Sequence, residues 1–290
     1  MKKLYLSLVL VALALGCKST PEETAPEPAP EPVQTPAPAP VETQPRAEQP
    51  TTPATSAATY FNRGNEFYSR YEFDQAINEY TEAIKIDPKM ADAYVARGNA
   101  YSGKFQFENA LDDYTMGAEI NADYDHYAKG YSSYLYQDYK SAIDEFSQAI
   151  DKKTNLLAAY NDRGLAYASS GKPDLAIADY TEAININPNS AFPYNNRGNA
   201  YLSKANYDKA TEDYSKAIEL YPQMGLPYSG RGMTNYRTRD YDKAIDDYTR
   251  AIAITPEDPA LYTLRRKVYM AMGEKAQADA DFETAKSLKN

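Results

Sequence analysis

The side chains that most often perform chemistry are scarce in this chain of 290 residues. It contains one cysteine, Cys17, and one histidine, His126. These are too few for a disulfide or an ordinary zinc site, and His126 lies in no Gly-x-Ser-x-Gly context. The sequence also has no Gly-x-x-x-x-Gly-Lys-Ser/Thr phosphate loop, and its net charge of −10 argues against a nucleic-acid partner. We therefore predict no metal, no cofactor and no enzymatic activity.

The chemistry expected of Cys17 is lipidation. Three residues, two of them lysines, precede a mostly apolar run from 4 to 15. The run is too short to cross a membrane and is typical of a secretory signal peptide over residues 1–16. Ala14-Leu15-Gly16-Cys17 resembles a bacterial lipobox with its first two residues exchanged. The resemblance implies that cleavage before Cys17 leaves it as an acylated N-terminus, which anchors the protein to a membrane. The alternative is a free cysteine after an ordinary signal.

Residues 17–56 form a second region, which is rich in proline. Such a composition provides no apolar core, so we expect a disordered linker with polyproline II character. Thirty-nine residues follow Cys17 in this region. At about 3.1 Å each they would span at most roughly 120 Å, enough to hold a folded domain away from a membrane. Its PxxP spacings alternatively suit an SH3-type ligand, but they arise by chance where proline is abundant.

From Ala57 onward the sequence repeats about every 34 residues. The predicted units are 57–90, 91–122, 123–156, 157–190, 191–224, 225–258 and 259–290. The eighth place of the unit is glycine in six copies, the twentieth is alanine in all seven, and the twenty-fourth is aromatic in all seven. Each unit has two apolar stretches of helical period separated by a short break. One helix pair cannot bury its own apolar face, so stacked pairs are expected to form a solenoid.

This spacing resembles the tetratricopeptide repeat over residues 57–290. The resemblance implies an all-α, right-handed superhelix of seven helix-turn-helix repeats, with the first helix of each repeat on the concave surface. It also implies a protein-interaction scaffold, because peptide ligands of the family contact the second, fifth, sixth, ninth, twelfth and thirteenth places. The last unit has Arg266 in place of the glycine and a polar second half, so we expect it to act as the cap.

Charged residues recur at two further places of the unit. The seventh is basic in every copy and the twenty-third is acidic in every copy, as in Arg197 and Asp213. We interpret them as ion pairs that join helices. The alternative is a row of basic residues that binds anions.

Four tyrosines of the third unit occupy places that contact ligands in the family. They are Tyr124, Tyr127, Tyr131 and Tyr134, and spacings of three, four and three put them on one face of a helix. Rings with a polar tip suit a binding surface. The alternative is that the third unit is divergent, since it lacks two of the usual aromatic residues.

Asparagines occupy the corresponding places of other units. The candidate set is Asn65, Asn99, Asn161, Asn195, Asn196 and Asn199. An amide both donates and accepts, so it can hold a peptide backbone without reading side chains. Some superhelical members of the family use an asparagine ladder in this way. The alternative is a role in helix starts and solvation. The fifth place never holds the lysine that a clamp for C-terminal carboxylates requires.

Together these features predict a lipid-anchored scaffold of the bacterial cell envelope that binds an extended peptide or a partner protein in the concave groove. Lys18 stands where inner-membrane lipoproteins of enteric bacteria have aspartate, which favours the outer membrane, at its periplasmic face or at the surface. The alternative function is a small-ligand-binding module that works with an envelope transporter.

Overall fold

The structure, a computed structural model, describes residues 56–289. Cys17, the predicted signal peptide and all of the predicted linker except Ser56 lie outside this range. The described residues form fourteen α-helices and one 3-10 turn, with no strand among them. The helices are α1 Ala57–Ser69, α2 Phe73–Ile86, α3 Ala91–Gly103, α4 Phe107–Ile120, α5 Asp125–Leu135, α6 Tyr139–Asp151, α7 Leu156–Ser169, α8 Pro173–Ile186, α9 Ala191–Ser203, α10 Tyr207–Leu220, α11 Gly225–Arg237, α12 Tyr241–Ile254, α13 Pro259–Met272 and α14 Lys275–Ser287.

Consecutive helices pack in seven pairs, here called repeats 1 to 7, and each pair packs chiefly against the next. The all-α solenoid predicted from the repeat spacing is therefore confirmed. Between residues 56 and 289 no helix is both long and apolar enough to cross a membrane.

An aromatic ring and a glycine determine how closely the two helices of a repeat approach. A Cβ added to Gly64 would lie 2.5 Å from Cε1 of Tyr80, and the glycines at the eighth place of repeats 2 to 6 face the corresponding ring of their own repeat. The alanine at the twentieth place is fully buried in every repeat. In repeat 7 Arg266 replaces the glycine, and its guanidinium lies 4.8 Å from the ring centroid of the half-exposed Phe282.

In five of the seven repeats the charge pair connects three helices. Arg97 on α3 donates from Nε and Nη2 to the Asp113 carboxylate at 2.8 and 2.7 Å, and from Nη1 to Thr81 Oγ1 on α2 at 3.0 Å. The same three bonds are made by Arg163, Arg197, Arg231 and Arg265. The interpretation of these residues as ion pairs between helices is confirmed for these repeats. The hydroxyl at the twenty-fifth place of the preceding repeat, which accepts the third of these bonds, was not anticipated.

Repeat 3 departs from this arrangement. Lys129 pairs with Asp125 one turn earlier on its own helix, at 2.7 Å. Glu145 instead contacts Nδ1 of His126 at 2.8 Å. The pair predicted between Lys129 and Glu145 is therefore wrong, because His126 on α5 occupies the carboxylate that the lysine would reach.

The turn inside each repeat passes through the left-handed region. The residues with positive φ at this turn are Tyr71, Phe105, Gln137, Gly171, Ala205, Arg239 and Gly273. Only two of the seven are glycine, so a repeated glycine does not mark this conformation in the sequence. In repeat 1 the turn residue Tyr71 also contacts residues at the start of repeat 5.

Candidate binding site

The first helices of repeats 2 to 5 surround a cavity of about 930 Å³, here called the central cavity. Tyr68 of repeat 1 and Leu226 of repeat 6 also line it. The cavity brings together most of the residues proposed from the sequence, namely Tyr127, Tyr131, Tyr134, Asn99, Asn161, Asn195, Asn196 and Asn199. Tyr124 and Asn65 do not line it.

Repeat 1 touches repeat 5 at the edge of the central cavity. The Tyr71 hydroxyl donates to the carbonyl of Asn189 at 2.6 Å and accepts from the amide of Ala191 at 2.7 Å. The Tyr71 ring stacks on Tyr221, with centroids 4.4 Å apart and planes 4° apart. Phe192, which also lines the cavity, packs against Tyr71. We call Tyr71, Phe73, Phe192 and Tyr221 the closing contact.

The tyrosines of repeat 3 form the wall of the central cavity. Tyr127 and Tyr131 are buried, and each ring lies edge-on to Tyr114 with centroids 4.8 Å apart. Tyr134 is half-buried beside them. The prediction that Tyr124 shares their helical face is wrong, because α5 begins only at Asp125. Tyr124 lies in the preceding 3-10 turn, and its hydroxyl donates to Asp92 at 2.6 Å.

The asparagines at the ninth place position the buried tyrosines of their own repeats. Asn65, Asn99 and Asn199 accept hydrogen bonds from the tyrosine hydroxyls at the twenty-fourth place, at 2.8, 3.0 and 2.7 Å. Their carbonyl oxygens are therefore already engaged. Asn65 lies outside the central cavity, whereas Asn99 and Asn199 line it. The role of Asn65 in ligand binding stays a prediction that the cavity does not support.

The other three asparagines form a continuous chain of hydrogen bonds along the cavity wall, here called the amide chain. Asn195 donates to Asn196 at 3.2 Å, Asn196 donates to Asn161 at 2.9 Å, and Asn161 donates to Asp162 at 3.1 Å. Tyr127 donates to the other carboxylate oxygen of Asp162 at 2.7 Å. The chain thus crosses from repeat 5 through repeat 4 to repeat 3.

Asp162 is the residue of this site that sequence reasoning missed. It lies on α7 at the sixth place of its repeat, where it is only 8% exposed and lines the central cavity. Burial raises the pKa of its carboxyl group to about 6, although the hydrogen bonds from Tyr127 and Asn161 lower it. Asp162 could have been identified from the sequence, because no other repeat has a charged residue at the sixth place. The described residues hold no cluster of three or more histidine, cysteine, aspartate or glutamate side chains suited to a metal ion.

Family models match several of the repeats. A model described as TPR repeat matches residues 64–104 and 164–205, and two described as tetratricopeptide repeat match 191–224 and 226–258. A comparison with curated protein sequences finds no match.

Several solved structures are similar to this chain, and the first of them shows the same fold. A chain of the APC/C hetero-tetramer Cut9–Hcn1 is 14% identical with a TM-score of 0.64, covering 81% of this chain and 53% of that one. This chain therefore spans about half the length of that relative. A tetratricopeptide repeat protein from Parabacteroides merdae is 18% identical with a TM-score of 0.48, covering 81% and 93%. YrrB, titled a TPR protein with an unusual peptide-binding site, is 22% identical with a TM-score of 0.42, covering 61% and 92%.

Proposed function

The chain is a tetratricopeptide repeat protein, and from that premise we propose that it is a membrane-anchored scaffold of the bacterial cell envelope. Its partner would be a protein that inserts an extended segment between the first helices. The fold supports protein or peptide binding in general. The anchor and the envelope location rest on the sequence alone, through the lipobox-like segment ending at Cys17.

The observation that carries the scaffold proposal is the lining of the central cavity. The amides of Asn161 and Asn196 and the half-buried ring of Tyr134 all line it, on the first helices of three consecutive repeats. A peptide backbone has one donor and one acceptor per residue, and amide side chains can satisfy both. Aromatic rings add contact area with little loss of conformational entropy.

A small-ligand-binding module is the second candidate function. The observation that favours it is the size of the central cavity, because about 930 Å³ lies within the range of typical small-molecule pockets. The closing contact at its edge also limits how much of a long peptide the groove accepts.

The test is photocrosslinking in intact cells, with p-benzoylphenylalanine placed at Phe105 or at Tyr136. Both positions are exposed aromatic residues near the turn of neighbouring repeats, at 44% and 67% exposure. Only Phe105 lines the central cavity, so Tyr136 is the matched control. We expect one defined envelope protein to be captured at Phe105 and not at Tyr136.

Two other outcomes contradict parts of the proposal. Capture at Tyr136 alone would place the partner on another surface, and no protein captured at either position would favour the small-ligand module. A Cys17→Ser arm tests the anchor, since it should move the protein from the membrane fraction to the soluble fraction. Unchanged membrane association of that variant would contradict the lipid anchor.

A further inference from the structure

Asp162 differs from the other buried aspartates of the described chain. Five of them, Asp113, Asp179, Asp213, Asp247 and Asp281, form an ion pair with an arginine of their own repeat. Asp258 caps the start of α13 through the Ala260 amide at 2.9 Å. Asp162 has neither an arginine nor a helix start to stabilise its charge, and its hydrogen-bond partners are the neutral side chains of Tyr127 and Asn161. Buried charges are normally paired, so a lone carboxylate indicates a missing cation.

The lining of the central cavity also favours a positively charged ligand. It contains two carboxylates, Asp162 and Glu108, and none of the lysine, arginine or histidine side chains that the structure describes. Aromatic rings make up much of the remaining wall, among them Tyr134 and Phe192. Rings and carboxylates together attract cations and disfavour anions.

The direction of the amide chain points to the same conclusion. An ionised carboxylate only accepts hydrogen bonds, so the Asn161 amide nitrogen must face Asp162. The Asn161 oxygen then accepts from the Asn196 amide nitrogen, and the Asn196 oxygen accepts from the Asn195 amide nitrogen. The chain ends at Oδ1 of Asn195, which is buried and has no hydrogen-bond partner in residues 56–289. Buried polar atoms are normally hydrogen-bonded, so this oxygen is expected to accept a hydrogen bond from a bound ligand.

We propose that the central cavity binds a ligand with an ammonium or guanidinium group, and that Asp162 is its counter-ion. The inference rests on the proposed function in one respect, namely that the central cavity is the binding site. The cation is supplied either by a lysine or arginine side chain of a bound peptide or by a free small amine. Both sources offer the positive charge and the donors that Asp162 and the amide chain require.

The test is isothermal titration calorimetry of the full-length protein with defined probes. Four blocked tripeptides, acetyl-Ala-Xaa-Ala-amide with lysine, arginine, glutamine or glutamate at Xaa, are compared with cadaverine as the free amine. We expect a basic probe to bind about tenfold or more tightly than the glutamine and glutamate peptides. Preference for the lysine or arginine peptide over cadaverine assigns the cation to a peptide, and the reverse assigns it to a free amine.

Asp162→Asn is the informative variant, because it removes the charge and keeps the shape and an acceptor for Asn161. It should weaken binding of the basic probe about tenfold or more. Asp112→Asn, at an exposed position on α4, makes the same change in net charge and should bind like wild type. Binding of the basic probe that is equal in wild type and Asp162→Asn overturns the proposal, and so does the absence of binding by all five probes. If photocrosslinking at Phe105 still captures a protein in that case, the scaffold function stands while the cation site falls.

The pH dependence gives an independent readout. The titratable groups that face Asp162 are tyrosines from four helices, Tyr68, Tyr114, Tyr127, Tyr131, Tyr134 and Tyr180, and burial raises the pKa of each. They stay neutral below pH 8, and the pKa of the Asp162 carboxyl group is about 6. The cavity lining holds a second carboxylate, Glu108, which is unchanged in Asp162→Asn, so the comparison of wild type with this variant isolates Asp162. Affinity for the basic probe should fall about tenfold from pH 7.5 to pH 5 in wild type, because protonation removes the counter-ion. In Asp162→Asn that loss should disappear.

Discussion

In repeats 1 to 6 the glycine at the eighth place packs against an aromatic ring sixteen residues later. A Cβ on Gly198 would lie 2.9 Å from both Cδ1 and Cε1 of Tyr214, closer than such atoms approach in folded proteins. Tyr214 is fully buried and held by its hydrogen bond to Asn199, so it has nowhere to move. Glycine at the eighth place is therefore required by close packing, since its backbone is ordinary helix.

We expect Gly198→Val to lower the free energy of unfolding by about 1–3 kcal/mol, because the added atoms overpack the space filled by Tyr214. Urea unfolding followed by circular dichroism measures the change. Gly225→Ala is the control, since an added Cβ there meets Ile254 at 3.6 Å, an ordinary contact. Its effect should stay within about 0.5 kcal/mol. Equal losses in the two variants would argue against the packing explanation.

Between elements, the charge pairs connect the two helices of a repeat and join that repeat to the one before it. Arg197 on α9 reaches Asp213 on α10 and Thr181 on α8, so one side chain connects two repeats. The pair is largely buried, with the Arg197 side chain 18% exposed, whereas the Arg63 side chain of repeat 1 is 45% exposed. In the described range no helix precedes repeat 1, so Arg63 has no counterpart of the Thr181 hydroxyl that Arg197 contacts.

Arg197→Met should therefore cost about 3–5 kcal/mol of stability, because it leaves the carboxylate of Asp213 buried without its counter-ion. Arg63→Met removes an exposed pair of the same design and should cost less than about 1 kcal/mol. The measurement is the midpoint of urea unfolding of each variant, compared with wild type in the same buffer. A loss of similar size for both variants would show that burial does not control the strength of these pairs.

Most of the elements and their connections could be predicted from the sequence, because each repeat presents the same small set of residues in the same order. The helix pairs and the ion pairs follow from that regularity. What could not be predicted arises where one copy differs, as at His126, or where the chain geometry brings distant copies together. Asp162 belongs to the first case, since it is the one charged residue at the sixth place of a repeat, but its partners in the neighbouring repeats could not be predicted from that position. The closing contact between repeats 1 and 5 is the second case.

At the scale of the whole molecule, the closing contact joins parts of the chain about 120 residues apart. Solenoids otherwise rely on contacts between neighbouring repeats. Because Phe192 belongs both to this contact and to the cavity wall, access to the central cavity is coupled to the separation of repeats 1 and 5.

Tyr71→Ala should loosen this junction, since it removes two hydrogen bonds and the ring stacked on Tyr221. Hydrogen exchange by mass spectrometry should then become faster at the Ala191 amide and its neighbours, and stay unchanged in repeat 7. Tyr136→Ala, an exposed tyrosine near the equivalent turn of repeat 3, is the control and should leave exchange near Ala191 as in wild type. Unaltered exchange at Ala191 in Tyr71→Ala would mean that the contact does not hold the repeats together.

The closing contact also has a consequence for the kinetics of folding. A solenoid whose repeats contact only their neighbours folds quickly, because each contact closes only a short loop. Its folding can begin at any repeat. The junction at Tyr71 requires repeats 1 to 5 all to have reached their final orientation, so we expect it to form after the contacts between neighbouring repeats. Repeats 1 to 5 should then unfold as one cooperative block, while repeats 6 and 7 open separately from the C-terminal end.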